Sequence, residues 1–232
     1  MFNKIDYCSL NDLVYEQIRE KIVENELKPG DKLDVDQLAE LLGVSRTPVT
    51  NAIKMLEYNG YVVIRPRNGS YVRALSKEEL DAIFDFREAM EVLIVKRAID
   101  QVDAKRMKRF ELAFSRMAKT FDGGEDEIAE FFNIEVQLHE YLIELSPKII
   151  SSEVKNLIDL TKRIRRLHLL YCQQGNDKQI LGKSEIVLHM NLCKAIQQKN
   201  SEEAQKLMRE DISSTKRLIL EKYEEIENFA NA

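Results

Sequence analysis

Glu135 and His139 stand four residues apart in a helical pattern, so their side chains project together from one face. That face is otherwise apolar, with Phe132, Val136, Leu142 and Ile143 defining it. His189 lies on a second apolar stripe with Ile186, Cys193 and Ile196, and Asp211 interrupts a third made by Ala204, Leu207, Met208 and Leu218. Burying charge without a partner is costly, so these residues must meet one another, a ligand or a metal. Two carboxylates and two imidazoles can close around a divalent cation such as zinc, manganese or nickel. Hydrogen-bonded core histidines and a plain Glu135–His139 helix pair would account for the same residues without an ion.

Other candidates for chemistry are fewer. Arg163, Arg165 and Arg166 could hold an anionic effector, with solvated charges or contacts to a second copy as the alternative uses, and His168 reads as a core or cavity-lining residue. Arg87 and Glu91 read as a helix pair. A di-iron bundle enzyme needs Glu-x-x-His pairs, whereas three residues intervene between Glu135 and His139 and between Glu185 and His189. No nucleophile-and-base motif or phosphate loop is present, so enzymatic activity is not expected.

A different chemistry is written near the start. The chain carries a net charge of −5. Residues 1–42 are strongly acidic, yet residues 43–73 hold Arg46, Lys54, Arg65, Arg67 and Arg73 against Glu57 alone. A local positive patch on an acidic chain can neutralise phosphates where it touches and repel them elsewhere.

The elements that must position these groups follow from composition and punctuation. With 232 residues, 44% hydrophobic and 32% charged, the chain is globular; 8 Gly and 4 Pro favour long helices. No apolar run suits a membrane span, the first ten residues lack a signal-peptide core, and Cys8, Cys172 and Cys193 are scattered as free thiols would be in a reducing cytosol. A cytoplasmic protein is expected.

Ser9 opens a first helix, with Leu13, Ile18, Ile22 and Val23 on one face. Asp34 caps a short second helix that ends at Gly43, and Ser45 caps a third, with Pro48 in its first turn and Asn59-Gly60 as its stop. Two helices joined by a tight turn make a helix-turn-helix. Residues 61–64 and 70–72 then read as a β-hairpin with Asn68-Gly69 at a tip that carries arginines, which is a wing suited to phosphates or the minor groove.

The run Leu38-Ala39-Glu40-Leu41-Leu42-Gly43-Val44-Ser45-Arg46-Thr47-Pro48-Val49, preceded by Lys28-Pro29-Gly30 and followed by Asn68-Gly69-Ser70, closely resembles the GntR family of regulators. The likeness spans about residues 10–74. It implies a homodimer that binds an inverted repeat in double-stranded DNA, with the Ser45–Tyr58 helix in the major groove. Arg46, at the first turn of that helix, could reach a phosphate or a guanine edge. Ser45, Thr47, Thr50, Asn51 and Lys54 share the helix, with Asn51 suited to an adenine and Lys54 to a phosphate. Arg65, Arg67, Asn68 and Gly69 belong to the wing. The chain departs from the family at Thr50, where Arg is usual, at Asn51, where an acid is usual, and at Asp36-Gln37, where some members carry a base. The operator is therefore expected to differ from the commonest one.

From Ser76-Lys77-Glu78-Glu79, a capping box, the pattern is helical nearly to the end. Helices are expected at about 76–100, 103–121, 126–145, 150–173, 182–198 and 201–228, with breaks at Asp122-Gly123-Gly124, Ser146-Pro147 and Gly175-Asn176, an antiparallel bundle of about six helices. The fold class is mainly α: a winged helix-turn-helix over 1–74 and an all-helical unit over 75–232. The bundle resembles the FCD effector domain of the FadR-like branch of GntR regulators, over about residues 80–222. That resemblance implies Glu135, His139, His189 and Asp211 as ligands of a divalent metal. Glu135 stands where Asp is usual and Asp211 where His is usual, which shifts preference away from the softer ions. It also implies a small organic acid as effector, and the residues themselves offer Arg165 and His168 as candidate contacts for it; a metal-free cavity holding an acyl chain is the alternative.

Overall fold

The computed structural model describes residues 9–172 and 183–231. It divides into two compact units, one ending at Leu75 and the next beginning at Ser76. The expected break at Gly175-Asn176 lies outside the described residues, as does Cys8.

In the first unit, α1 (Leu10–Val23) starts at a reciprocal capping box: the Asp12 amide donates to Ser9 Oγ and the Ser9 amide to Asp12 Oδ2, both at 3.2 Å. Its buried face is Val14, Tyr15, Ile18 and Ile22, while Leu13, expected on that face, is exposed. Helix α2 (Val35–Leu42) is capped by Asp34, whose carboxylate accepts from the Asp36 and Gln37 amides, and ends at Gly43 with φ +65°. Helix α3 (Arg46–Tyr58) packs Val49, Ala52, Ile53 and Leu56 inward, against α1 and α2. Ser45 occupies its cap position in extended conformation but makes no side-chain cap bond.

The wing is a three-stranded antiparallel sheet, not a lone hairpin. Strands β2 (Val62–Arg65) and β3 (Gly69–Val72) pair with Val62 opposite Val72 and Arg65 opposite Gly69. A two-residue strand, β1 (Lys32–Leu33), adds to the other edge of β3. It is too short for alternation to reveal it. The turn also differs from expectation: the Asn68 amide donates to the Arg65 carbonyl, which places Pro66 and Arg67, not Asn68-Gly69, at the centre of the tip. Arg67 takes the left-handed conformation, φ +64°.

The second unit is all-helical among its described residues: α4 (Lys77–Ala98), α5 (Ala104–Thr120), α6 (Glu125–Glu144), α7 (Lys148–Tyr171), α8 (Lys183–Gln197), α9 (Ser201–Glu221) and α10 (Tyr223–Asn231). The helix expected over 201–228 is interrupted at Lys222, so seven helices stand where about six were read. Asn200 caps α9 by accepting from the Glu203 amide. Helix α4 is central: it packs against α9 on one side and against α6 and α7 on others, while α5 packs on α8 and α8 on α9. The interior this creates is lined by Phe84, Phe114, Leu138, Ile158, Ile186 and Leu192, and it contains buried charges.

Candidate metal centre and nucleic-acid interface

Helix α6 brings Glu135 and His139, α8 brings His189 and α9 brings Asp211 to one point in the bundle. All four are buried, and one ligand atom from each lies within 4.8 Å of the others. His139 Nε2 is 3.4 Å from Glu135 Oε1 and 3.2 Å from Asp211 Oδ2, and His189 Nε2 is 3.2 Å from Asp211 Oδ1. Ligands about 2.0–2.2 Å from an ion stand about 3.0–3.5 Å from their neighbours around it, which these spacings match. The four-residue set therefore comes together in space.

The tautomers also fit. His189 Nδ1 is 2.8 Å from the Glu185 carbonyl oxygen, an atom that can only accept, so Nδ1 carries the proton. His139 Nδ1 is 2.5 Å from Glu91 Oε2, again an acceptor. In both rings Nε2 is the atom aimed at the centre, buried and without a hydrogen bond of proper geometry among the described residues. Imidazoles anchored through Nδ1–H with Nε2 turned to a shared point are arranged as ligands.

Electrostatics tells what compensates the carboxylates when no ion does. Burial opposes a charge on His139, but the carboxylates of Glu91, Asp211 and Glu135 overcome it and raise its pKa to about 10. Burial also opposes ionisation of Asp211, yet His189, His139 and Arg165 hold its carboxyl well below the usual range. Glu185, at the edge of the group, is pushed up to about 6 by burial and by Asp211, with His189 partly offsetting them. A proton and a cation thus compete for His139 Nε2.

Supporting residues that sequence reasoning understated lie behind the centre. Arg87 and Glu91 do form the expected pair, Nε to Oε1 at 2.9 Å, but both are fully buried and Glu91 reaches on to His139. Arg87 Nη1 in turn donates to Thr161 Oγ1 of α7 at 2.8 Å. The signal was available: Leu80, Phe84, Arg87 and Glu91 recur at helical spacing, which places the charged pair on the buried stripe of α4.

Beside the centre is a cavity of about 50 Å³, with Phe131, Phe132 and Leu169 on its apolar wall and Arg165, His168 and Thr215 among its polar groups. Arg165 pairs with Glu135 and stacks over Phe132 with its guanidinium carbon 5.2 Å from the ring centroid. Of the arginine run, Arg163 is engaged elsewhere, 3.1 Å from Glu227.

On the first unit, Ser45, Arg46, Thr47, Thr50 and Lys54 are exposed and Asn51 is half-buried, while the opposite side of α3 is core. Arg46 Nε lies 3.0 Å from Asp36 Oδ1. In the wing, Arg65, Arg67 and Asn68 are exposed and Gly69 is half-buried. The Arg65 guanidinium lies 4.8 Å above the Tyr71 ring, whose hydroxyl donates to the Asn68 carbonyl at 3.0 Å. Lys32 joins this group through β1: its Cε would stand 3.0 Å from a Cβ on Gly69, so the missing side chain is what lets the lysine pass. Its position in the acidic first stretch of sequence hid it.

Comparison with known proteins agrees with both halves. Residues 10–72 match the family described as bacterial regulatory proteins, gntR family, and residues 82–214 match the FCD domain. The uncharacterized HTH-type transcriptional regulator YdhC of Bacillus subtilis is 26% identical over 192 residues, covering 82% of each chain. The HTH-type transcriptional repressor RspR of Escherichia coli is 22% identical over 200 residues, covering 86% of this chain and 84% of the repressor. Among solved structures, E. coli McbR/YncC shares the fold with a TM-score of 0.74 at 20% identity, over 94% of this chain and all of that one.

Proposed function

The chain belongs to the GntR family of bacterial regulators, in the group that carries an FCD domain, and from that premise we propose that it is a homodimer whose grip on an inverted-repeat operator responds to a small organic acid beside a bound divalent metal. It is a DNA-binding transcriptional regulator, and its relatives are regulators rather than enzymes. No helix among the described residues is long and apolar enough to cross a membrane.

The observation that carries the ligand side is the pair of orphaned Nε2 atoms converging with two carboxylates at a cavity wall. Glu135, His139, His189 and Asp211 would hold the ion. Zinc, manganese or nickel in that set would supply a positive point for an acid's carboxylate. Arg165 and His168 would face the same ligand from α7. Cavity size favours a short acid over an acyl chain: about 50 Å³ is far below the 300–1,000 Å³ of drug-sized pockets.

On the DNA side, α3 would enter the major groove with Ser45, Arg46, Thr47, Thr50, Asn51 and Lys54, and the wing would set Arg65, Arg67, Asn68 and Gly69 against the backbone. A second copy is the partner suited to the exposed apolar stripe of α4, Phe86 and Leu93, with Ile150 beside Leu93. An effector acts only through unequal affinity for two arrangements of the dimer.

Fluorescence anisotropy on duplexes selected from a random pool, with metal and a panel of short carboxylic acids, tests this. We expect salt-sensitive binding that at least one acid shifts only when metal is present. Binding indifferent to metal and to every acid would remove the effector role, and no binding to any duplex in dilute salt would remove the whole reading.

A further inference from the structure

We infer that Asp36 sets base preference in the recognition unit by holding Arg46 in the orientation that reads guanine, an inference that rests on α3 entering the major groove as proposed above. Arg46 is the first residue of α3, and Asp36 lies in the first turn of α2. Their contact therefore ties the two helices of the helix-turn-helix across the short Gly43–Ser45 connection. Among the described residues, each of the two side chains has the other as its nearest opposite charge. The carboxylate that caps α2 belongs to Asp34, which accepts from the amides of Asp36 and Gln37, and that leaves Asp36 free for Arg46.

Which nitrogen is used decides the chemistry. Asp36 Oδ1 lies 3.0 Å from Nε, an ion-pair contact that places the carboxylate on the Nε side of the guanidinium. The two terminal nitrogens of the guanidinium then remain as a planar fork, which matches the adjacent O6 and N7 acceptors of guanine in the major groove. A phosphate needs no such orientation, because it accepts from many directions. A carboxylate behind Nε thus favours the base-reading use of Arg46 over the phosphate-gripping one.

In solution the pair contributes little, since the side chains are 71% and 67% exposed and water screens them. On DNA the balance changes. Water is displaced from the groove, the ion pair strengthens, and a long side chain already held in place loses less freedom when it binds. The location of an acid here also calls for a partner. A bare carboxylate at the DNA-facing end of α2 would repel the phosphates, and the guanidinium of Arg46 neutralises it.

The test is selection of duplexes from a random-sequence pool by the full-length protein and by its Asp36→Ala, Asp36→Asn and Arg46→Ala variants. Anisotropy on the selected duplex, its single-base variants and a scrambled duplex follows, with thermal melts as the check on folding. The wild type should select a guanine that Arg46→Ala no longer requires. Asp36→Ala should lower the preference for that guanine by about tenfold. The same variant should bind the scrambled duplex as well as before, or about twofold better, because a repelling charge has gone. Asp36→Asn should fall between, since its amide oxygen keeps a partial negative charge near Nε but not the full charge of the carboxylate. A guanine preference that survives Asp36→Ala, with affinity unchanged or raised uniformly, would show Asp36 to be only a solvated acid. A wild type that selects a motif with no guanine dependent on Arg46 sinks this inference alone, whereas one that selects no duplex takes the DNA-binding reading with it.

Discussion

Arg46 and Arg87 carry the same guanidinium, each within 3.0 Å of a carboxylate, in opposite surroundings. Arg46 is 71% exposed at the start of α3, while Arg87 is 2% exposed in the middle of the helical unit. The exposed ion pair contributes little to the fold, so its value lies in what it presents to a partner. The buried one had to be desolvated, and it persists because Thr161 of α7 accepts from Arg87 and His139 of α6 meets Glu91. On the proposed reading, the exposed charge of Arg46 serves recognition. The buried charge of Arg87 and Glu91 would then support the proposed site.

The largest effect should come from splitting the buried pair. Glu91→Ala leaves Arg87 uncompensated in the core and should cost about 3–5 kcal/mol of unfolding free energy, measured by denaturant titration. Replacing both, as Arg87→Met with Glu91→Leu, should recover most of that loss, since two apolar groups need no partners. A Glu91→Ala protein as stable as the parent would mean that the pair is not buried in solution, and the contrast with Arg46 would collapse.

Next in size is removal of the proposed ion. At free metal a hundredfold above its dissociation constant, binding adds about 2.7 kcal/mol of stability, which chelation should remove and His189→Ala should prevent. The pH dependence sharpens it. In the stripped protein the folded pKa of His139, about 10, lies above its ordinary value near 6.5. Protonated His139 therefore contributes stability that is fully present below about pH 6.5 and is lost as pH rises through about 10. A bound cation replaces that proton, so the gap between loaded and stripped melting temperatures should widen from pH 6.5 upward. A gap that is flat with pH would separate His139 from the ligand set.

These two regions were not equally legible in the sequence. The helix-turn-helix announces itself through local chemistry: Asp34 at a cap, Gly43 where φ is positive, Pro48 in a first turn. Such signals need only neighbouring residues. The four residues of the centre were nameable because polar groups interrupted three apolar stripes. What surrounds them was not, because the reach of Glu91 from α4 to α6 depends on how helices pack. Strand β1 was missed for the same reason, since two residues acquire strand geometry only by pairing with β3. Leu13 was misplaced because the buried face of α1 is set by α3, one residue away from the best periodic fit.

On the exposed side, Arg46→Ala should weaken binding to the selected duplex by about 1–3 kcal/mol while leaving the melting temperature unchanged. Anisotropy and calorimetry on one preparation measure both. A fall in stability of similar size would mean that Arg46 supports the fold, contrary to its exposure.

The smallest effect separates fold from function within a single residue. Arg67 sits at φ +64°, a conformation that disfavours a side chain with a Cβ and suits glycine. Arg67→Gly should therefore leave the unit as stable or raise its stability by about 0.5 kcal/mol, the relief of strain being partly offset by the greater freedom of an unfolded glycine. Yet the same change removes a cation from the tip of the wing. If that cation touches a phosphate, the slope of log affinity against log salt should become shallower by about 0.9. Stability rising while the salt slope flattens is the signature of a residue kept for its contact at the expense of its backbone. An unchanged slope would place Arg67 away from the DNA, and the strain at the tip would then have no partner to explain it.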